Sequence, residues 1–181
     1  MPKTLRLLVA AAACAVTTLL AGAQILPFTL EEMVQATDNA VYGEITKSRV
    51  FRVDHPVDGP ELFFTTITIE GRSLVDGRDT TVDVTFHGGF VNEKEGVHNS
   101  EAPKADDVKV GNRIVAFYKW TENMGGDVAA NALFAAHGGL FRTLDGPNGA
   151  IVQGRGESYA IERNTALSSL DESITRIARN R

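Results

Sequence analysis

The sequence predicts a mainly β fold: a small antiparallel barrel of five to six strands, with a short helix before it and a helix after it. Three observations carry this. Apolar residues recur with period two through most of residues 40 to 153, the runs are separated by Gly-, Asn-, Asp- and Pro-containing turns, and helical spacing is confined to the two ends. Nothing alternates strand with helix in the way a parallel sheet requires.

Residues 108 to 120 form the stretch around which the rest is arranged. A Gly111-Asn112 turn leads into Ile114, Val115, Phe117, Tyr118 and Trp120, a β-branched and aromatic run that suits a pleated strand. Ile114, Ala116, Tyr118 and Trp120 fall on one side and Val115 and Phe117 on the other, so both faces are expected to be covered.

Taken in order, the chain opens with Lys3 and Arg6, an apolar run from Leu7 to Leu20, and Ala21-Gly22-Ala23. That pattern predicts a signal peptide over residues 1–23, cut after Ala23, with export to the periplasm or beyond the cell. Cys14, the only cysteine, lies inside the run and leaves with it, so the exported domain is expected to hold together without a disulfide. The segment also removes two basic residues and no acidic one, making the −5 charge of the full chain more negative. So acidic a surface, lacking any Lys/Arg cluster, speaks against nucleic-acid binding. No cofactor is implied, and no transmembrane segment is expected in the mature chain.

Thr29-Leu30-Glu31-Glu32 is a capping-box pattern, which predicts a helix of two or three turns ending near Asp38-Asn39. Val41, Gly43 and Ile45 then begin a strand that continues, bent, to Val53, with Gly43 marking a bulge or a close backbone approach. A turn over residues 55 to 60 precedes a second strand through Phe63, Thr65, Ile67 and Ile69. Asp76-Gly77-Arg78-Asp79 turns into a third, through Val82, Val84 and Phe86. Residues 88 to 107 show no sustained period and are expected to be one long irregular loop, the kind of segment that carries function. After the central strand come a connection at residues 121 to 127, a fifth strand over 131 to 137 continued over 140 to 144, a turn at 145 to 149 and a last short strand at 150 to 153. Leu167, Leu170, Ile174 and Ile177 recur at helical spacing, predicting a C-terminal helix over 164–181 capped by Asn164 or Thr165 and docked on the barrel or on a partner. The barrel domain then spans 24–163. Its strand number and flanking helices fit an OB-type barrel best, a β-sandwich being the competing architecture.

Several of these stretches resemble a family. Leu30-Glu31-Glu32-Met33, Ala40 through Ile45, Thr66-Ile67-Thr68-Ile69-Glu70, Phe86-His87-Gly88-Gly89, Ala102-Pro103 with Val110 through Phe117, and Gly138 through Thr143 look like a group of small exported bacterial domains of unknown activity. The resemblance covers most of residues 29 to 155 and implies an OB-like fold but no catalytic residues. A more distant likeness, to the OB barrel of netrin-like and metalloprotease-inhibitor domains, rests on the entry around Ala40 to Ile45. Their inhibitory mechanism needs an N-terminal cysteine, which this chain lacks after cleavage.

His-Gly-Gly occurs twice, at His87-Gly88-Gly89-Phe90 and at His137-Gly138-Gly139-Leu140. Paired glycines let the backbone turn sharply or approach a neighbour closely. The plain reading is two strand ends; the sharper one gathers His87, His98 and His137 at one barrel rim as a metal or anion site. Their spacing matches no ligand signature, Glu93, Glu95, Glu101, Asp106 and Asp107 lack the alternation of a calcium loop, and Gly154 to Ser158 is no nucleophile elbow. The leading expectation is an exported, non-enzymatic binding or interaction domain for a protein or small ligand, using the long loop and the adjacent rim: His87, Gly88, Gly89, Phe90, His98 and His137. A hydrolase built on a histidine cluster and a structural envelope role are the alternatives.

Overall fold

A computed structural model describes residues 28 to 180. The expected signal peptide, with Cys14, lies outside the described residues. The first helix, α1 (Leu30–Ala36), starts on the capping box. Thr29 Oγ1 accepts from the Glu32 amide at 3.2 Å, and Glu32 Oε2 accepts from the Thr29 amide at 2.8 Å. Those bonds to the ionised form hold the Glu32 carboxyl below the usual carboxylate range. Met33 and Val34 are buried.

Three long antiparallel strands follow: β1 (Asn39–His55), β2 (Gly59–Ser73) and β3 (Asp79–His87). Gly43 and Gly71 face each other across β1 and β2, and a Cβ on either would run into the partner strand's backbone. Gly43 is therefore a close approach; the bulge lies further on, between Ile45 and Lys47.

Residues 88 to 107 are not one irregular loop. They contain a separate hairpin, β4 (Gly89–Asn92) and β5 (Glu95–Val97), turned where Asn92 Oδ1 accepts from the Lys94 amide and tied to β1 by Arg52 to Glu95 at 3.2 Å. Strands of four and three residues are too short to display a period.

The central strand, β6 (Arg113–Thr121), pairs with β1 on one edge, and β7 (Ala130–Leu133) returns along the other. The order β1-β2-β3-β7-β6, with β6 back on β1, closes a five-stranded barrel compatible with an OB-like fold. The purely antiparallel expectation is corrected at one place. β3 and β7 run parallel and share a single registered pair, Thr85 with Ala132, because β7 enters from the same end as β3. After a 3-10 turn at Ala136–Gly139, β8 (Leu140–Gly146) pairs with the first half of β6; β9 (Gly149–Val152) and β10 (Thr165–Ala166) extend that flap outward.

Two cores result. Val41, Ile45, Ile67, Ile69, Val84, Phe86, Ile114, Ala116 and Tyr118 fill the barrel. Val115 and Phe117, on the other face of β6, pack outside it against Phe141, Met33, Val34 and Leu74. Both faces of β6 are thus covered from Ile114 to Tyr118, as expected, but Trp120 is 53 % exposed, lying past the point where the barrel closes.

The last helix, α2 (Leu167–Ala178), caps this outer core with Leu167, Leu170 and Ile174. Its N-cap is Ala166, without a side-chain cap; Thr165 belongs to β10, and Asn164 spends its Oδ1 on the Gly154 amide at 3.0 Å. Arg72 to Asp171 at 2.7 Å and Thr175 Oγ1 to the Leu74 carbonyl at 3.1 Å fix its register on the barrel. No helix among the described residues is long and apolar enough to cross a membrane.

Candidate functional site

Where β3 and β7 part, a cleft of about 390 Å³ opens. Its apolar floor comes from Phe86, Ala102, Met124, Ala132 and Leu133; its polar rim from His87, Asn99, Glu101, Thr121 and Asn123. One wall is the segment after the β4–β5 hairpin and the other is the β6–β7 loop.

Each wall is pinned locally. Asn99 makes the turn of the first: its Oδ1 accepts from the Glu101 amide at 3.0 Å, its Nδ2 donates to the His87 carbonyl at 3.3 Å, and its own carbonyl takes the Ala102 amide. The Glu101 carbonyl is held by His137, whose backbone amide and Nδ1 lie 2.8 and 3.0 Å away. The second wall is braced against the β1–β2 turn. His55 Nε2 sits 3.2 Å from Asp127, and Asp58 accepts from the Gly126 amide at 2.7 Å. Asn123 Oδ1 takes the Gly125 amide at 2.7 Å.

The residues singled out by sequence go to different places. His87 lines the cleft with its ring 4.9 Å from Phe64, and partial burial lowers its pKa below the ordinary histidine value. Gly88 and Gly89 have φ of +93° and +126°; a Cβ on Gly88 would press on Asn99 and one on Gly89 on Thr65 and Val50, so this pair makes the turn into the hairpin. Phe90 is 54 % exposed on β4. His98 is exposed and is not part of the lining. His137 lies behind the first wall, its ring bridging the Glu101 carbonyl and, at 3.1 Å, the Tyr159 hydroxyl. Gly138 and Gly139 sit in the 3-10 turn, where Gly139 abuts the Phe134 carbonyl. Gly88, Gly89 and Gly139 are thus needed for close packing or turning within the chain, while Gly138 has room for a side chain.

Among the described residues, no group of three or more His, Cys, Asp or Glu side chains could hold a metal ion. Nothing in the sequence singles out Asn99, Thr121, Asn123 and Met124. Thr121 ends β6 and the other three lie in loops without periodicity, and only the barrel topology brings them together.

No family model, no curated protein and no solved structure matches this chain.

Proposed function

We propose that the chain is an exported, non-enzymatic binding module whose ligand occupies the cleft at the β3–β7 seam. The observation that carries this is the cleft itself: about 390 Å³, an apolar floor with convergent polar groups, at the end of the segment expected from sequence to be functional. Its size lies within the range of small-ligand sites, roughly 300–1,000 Å³. The lining contains Glu101 and no Lys or Arg, so the site favours a neutral or cationic group attached to an apolar body. The family resemblance and the apolar N-terminal run support export.

The experiment is backbone amide NMR with benzyl alcohol, benzylamine and benzoate at millimolar concentration. The first two are expected to shift Glu101, Ala102, Asn123 and Met124 saturably, and benzoate is expected to fail; Ala102→Phe, which fills the cleft, abolishes the shifts. Shifts scattered over the surface, or none, would refute the reading.

A further inference from the structure

A second concavity, about 180 Å³, lies on the flap side of the barrel, lined by Asp107, Leu140, Arg142, Gln153, Gly154, Arg155 and Asn164. It shares no lining residue with the cleft already described. Arg142 and Arg155 are both half-buried here, and among the described residues neither has a carboxylate within ion-pair distance. Arg163, Arg176 and Arg179 also lack an ion pair among the described residues, but they are exposed, whereas Arg142 and Arg155 are drawn partly into the fold.

Arg155 is held in place by its surroundings. Its Nη1 donates to the carbonyls of His137 and, at 3.0 Å, Leu140, and its guanidinium lies 5.2 Å over the Tyr159 ring. Nε and Nη2 remain as donors on a fixed fork. Arg142 makes no side-chain hydrogen bond among the described residues, so its whole fork is available. Asn164 has committed its oxygen to the Gly154 amide, leaving its NH2 as a donor, and Gln153 adds another amide. Asp107 is the single acid in the lining. Asp106, which also feels Arg142, is itself paired with Lys109 at 2.7 Å, so the two guanidinium groups outweigh the Asp107 carboxylate and the hollow is locally positive in a chain of net charge −5.

We propose that this hollow binds a small oxyanion, a carboxylate or phosphate group, between the Arg142 and Arg155 guanidinium forks. Planar forks match two oxygens of such a group at once, and charge-assisted bonds in a half-desolvated hollow are stronger than on an open surface. The volume admits the anionic group and a few further atoms. Asp107 sets an orientation, since its carboxylate repels the anion toward the arginines.

The test titrates inorganic phosphate and, separately, acetate into the full folded domain at constant ionic strength, reading the Gly154 amide, the Asn164 side-chain amide and the arginine Nε resonances. Saturable shifts with at least one anion are expected, and the anion that binds more tightly identifies the group. Arg142→Gln, which breaks no bond within the protein, is expected to weaken binding about tenfold or more, the loss of one charge-assisted pair. Arg155→Lys, keeping the charge without the fork, is expected to weaken it too. Absence of saturation with both anions overturns the proposal, as does equal binding by wild type and Arg142→Gln.

Discussion

Replacing Ile174 by Ala tests whether α2 is part of the fold's core or an appendage. Ile174 is fully buried between α1, Leu74 and the outer face of β6. The substitution removes the three carbons beyond Cβ, which at about 0.8 kcal/mol per buried carbon gives roughly 2.4 kcal/mol. The cavity left behind adds on the order of 1 kcal/mol, because β6 and α1 are held by the barrel and cannot collapse onto it. A loss of about 3–4 kcal/mol follows, or roughly 10 °C in Tm for a domain of this size. Urea unfolding followed by circular dichroism gives the free energy, and an unchanged m-value shows that one cooperative unit is being measured. Ile177→Ala, at a half-buried position, is expected to cost about half as much. A loss under about 1 kcal/mol for Ile174→Ala, or a separate early transition for the helix, would refute the two-core description.

Two further outcomes are expected. Gly138→Ala and Gly139→Ala should diverge although they are neighbours. At Gly138 the nearest atom to a new Cβ lies 3.7 Å away and φ is ordinary, so thermal unfolding should show no loss or a gain of about 0.5 kcal/mol; at Gly139 the Phe134 carbonyl blocks it, and a loss of roughly 2–3 kcal/mol should appear. His87, lowered in pKa by burial, should titrate below the ordinary histidine range by imidazole NMR. Its sign is that of a base disfavoured when charged. It costs the fold nothing above the unfolded-state pKa near 6.5, then destabilises progressively as pH falls through that value, reaching its full effect below the lowered folded pKa. The difference in acid stability between wild type and His87→Gln isolates this contribution, and a more acid-sensitive variant would contradict it.

How much was legible in the sequence follows from what writes a periodic signal. The long strands β1, β2 and β3 are readable because each packs a face against the barrel interior and alternates over many residues, and β6 because, buried on both faces, it is a continuous β-branched and aromatic run. The Thr29–Glu32 box was readable because capping is local. The β4–β5 hairpin was not, being too short and too exposed, and the parallel β3–β7 contact was not, because no local pattern records which distant strand supplies the edge. The α2 cap was misplaced for a related reason: Asn164 is a good capping residue, but tertiary packing of β9 and β10 took its oxygen for Gly154. At the candidate cleft, His87 was identifiable from its motif, while Asn99 and Asn123 look like ordinary loop asparagines until the barrel closes.

That single parallel contact also fixes an order of events. The β1–β2–β3 meander can form as soon as residue 87 is available, but its outer edge has no partner at Thr85 until a segment some 45 residues later arrives at Ala132. Until then β3 presents bare amides and carbonyls, an invitation to pair with another chain. A nascent or truncated polypeptide ending before Leu133 therefore lacks the one strand contact that closes β3 at Thr85, and its barrel stays open at that seam.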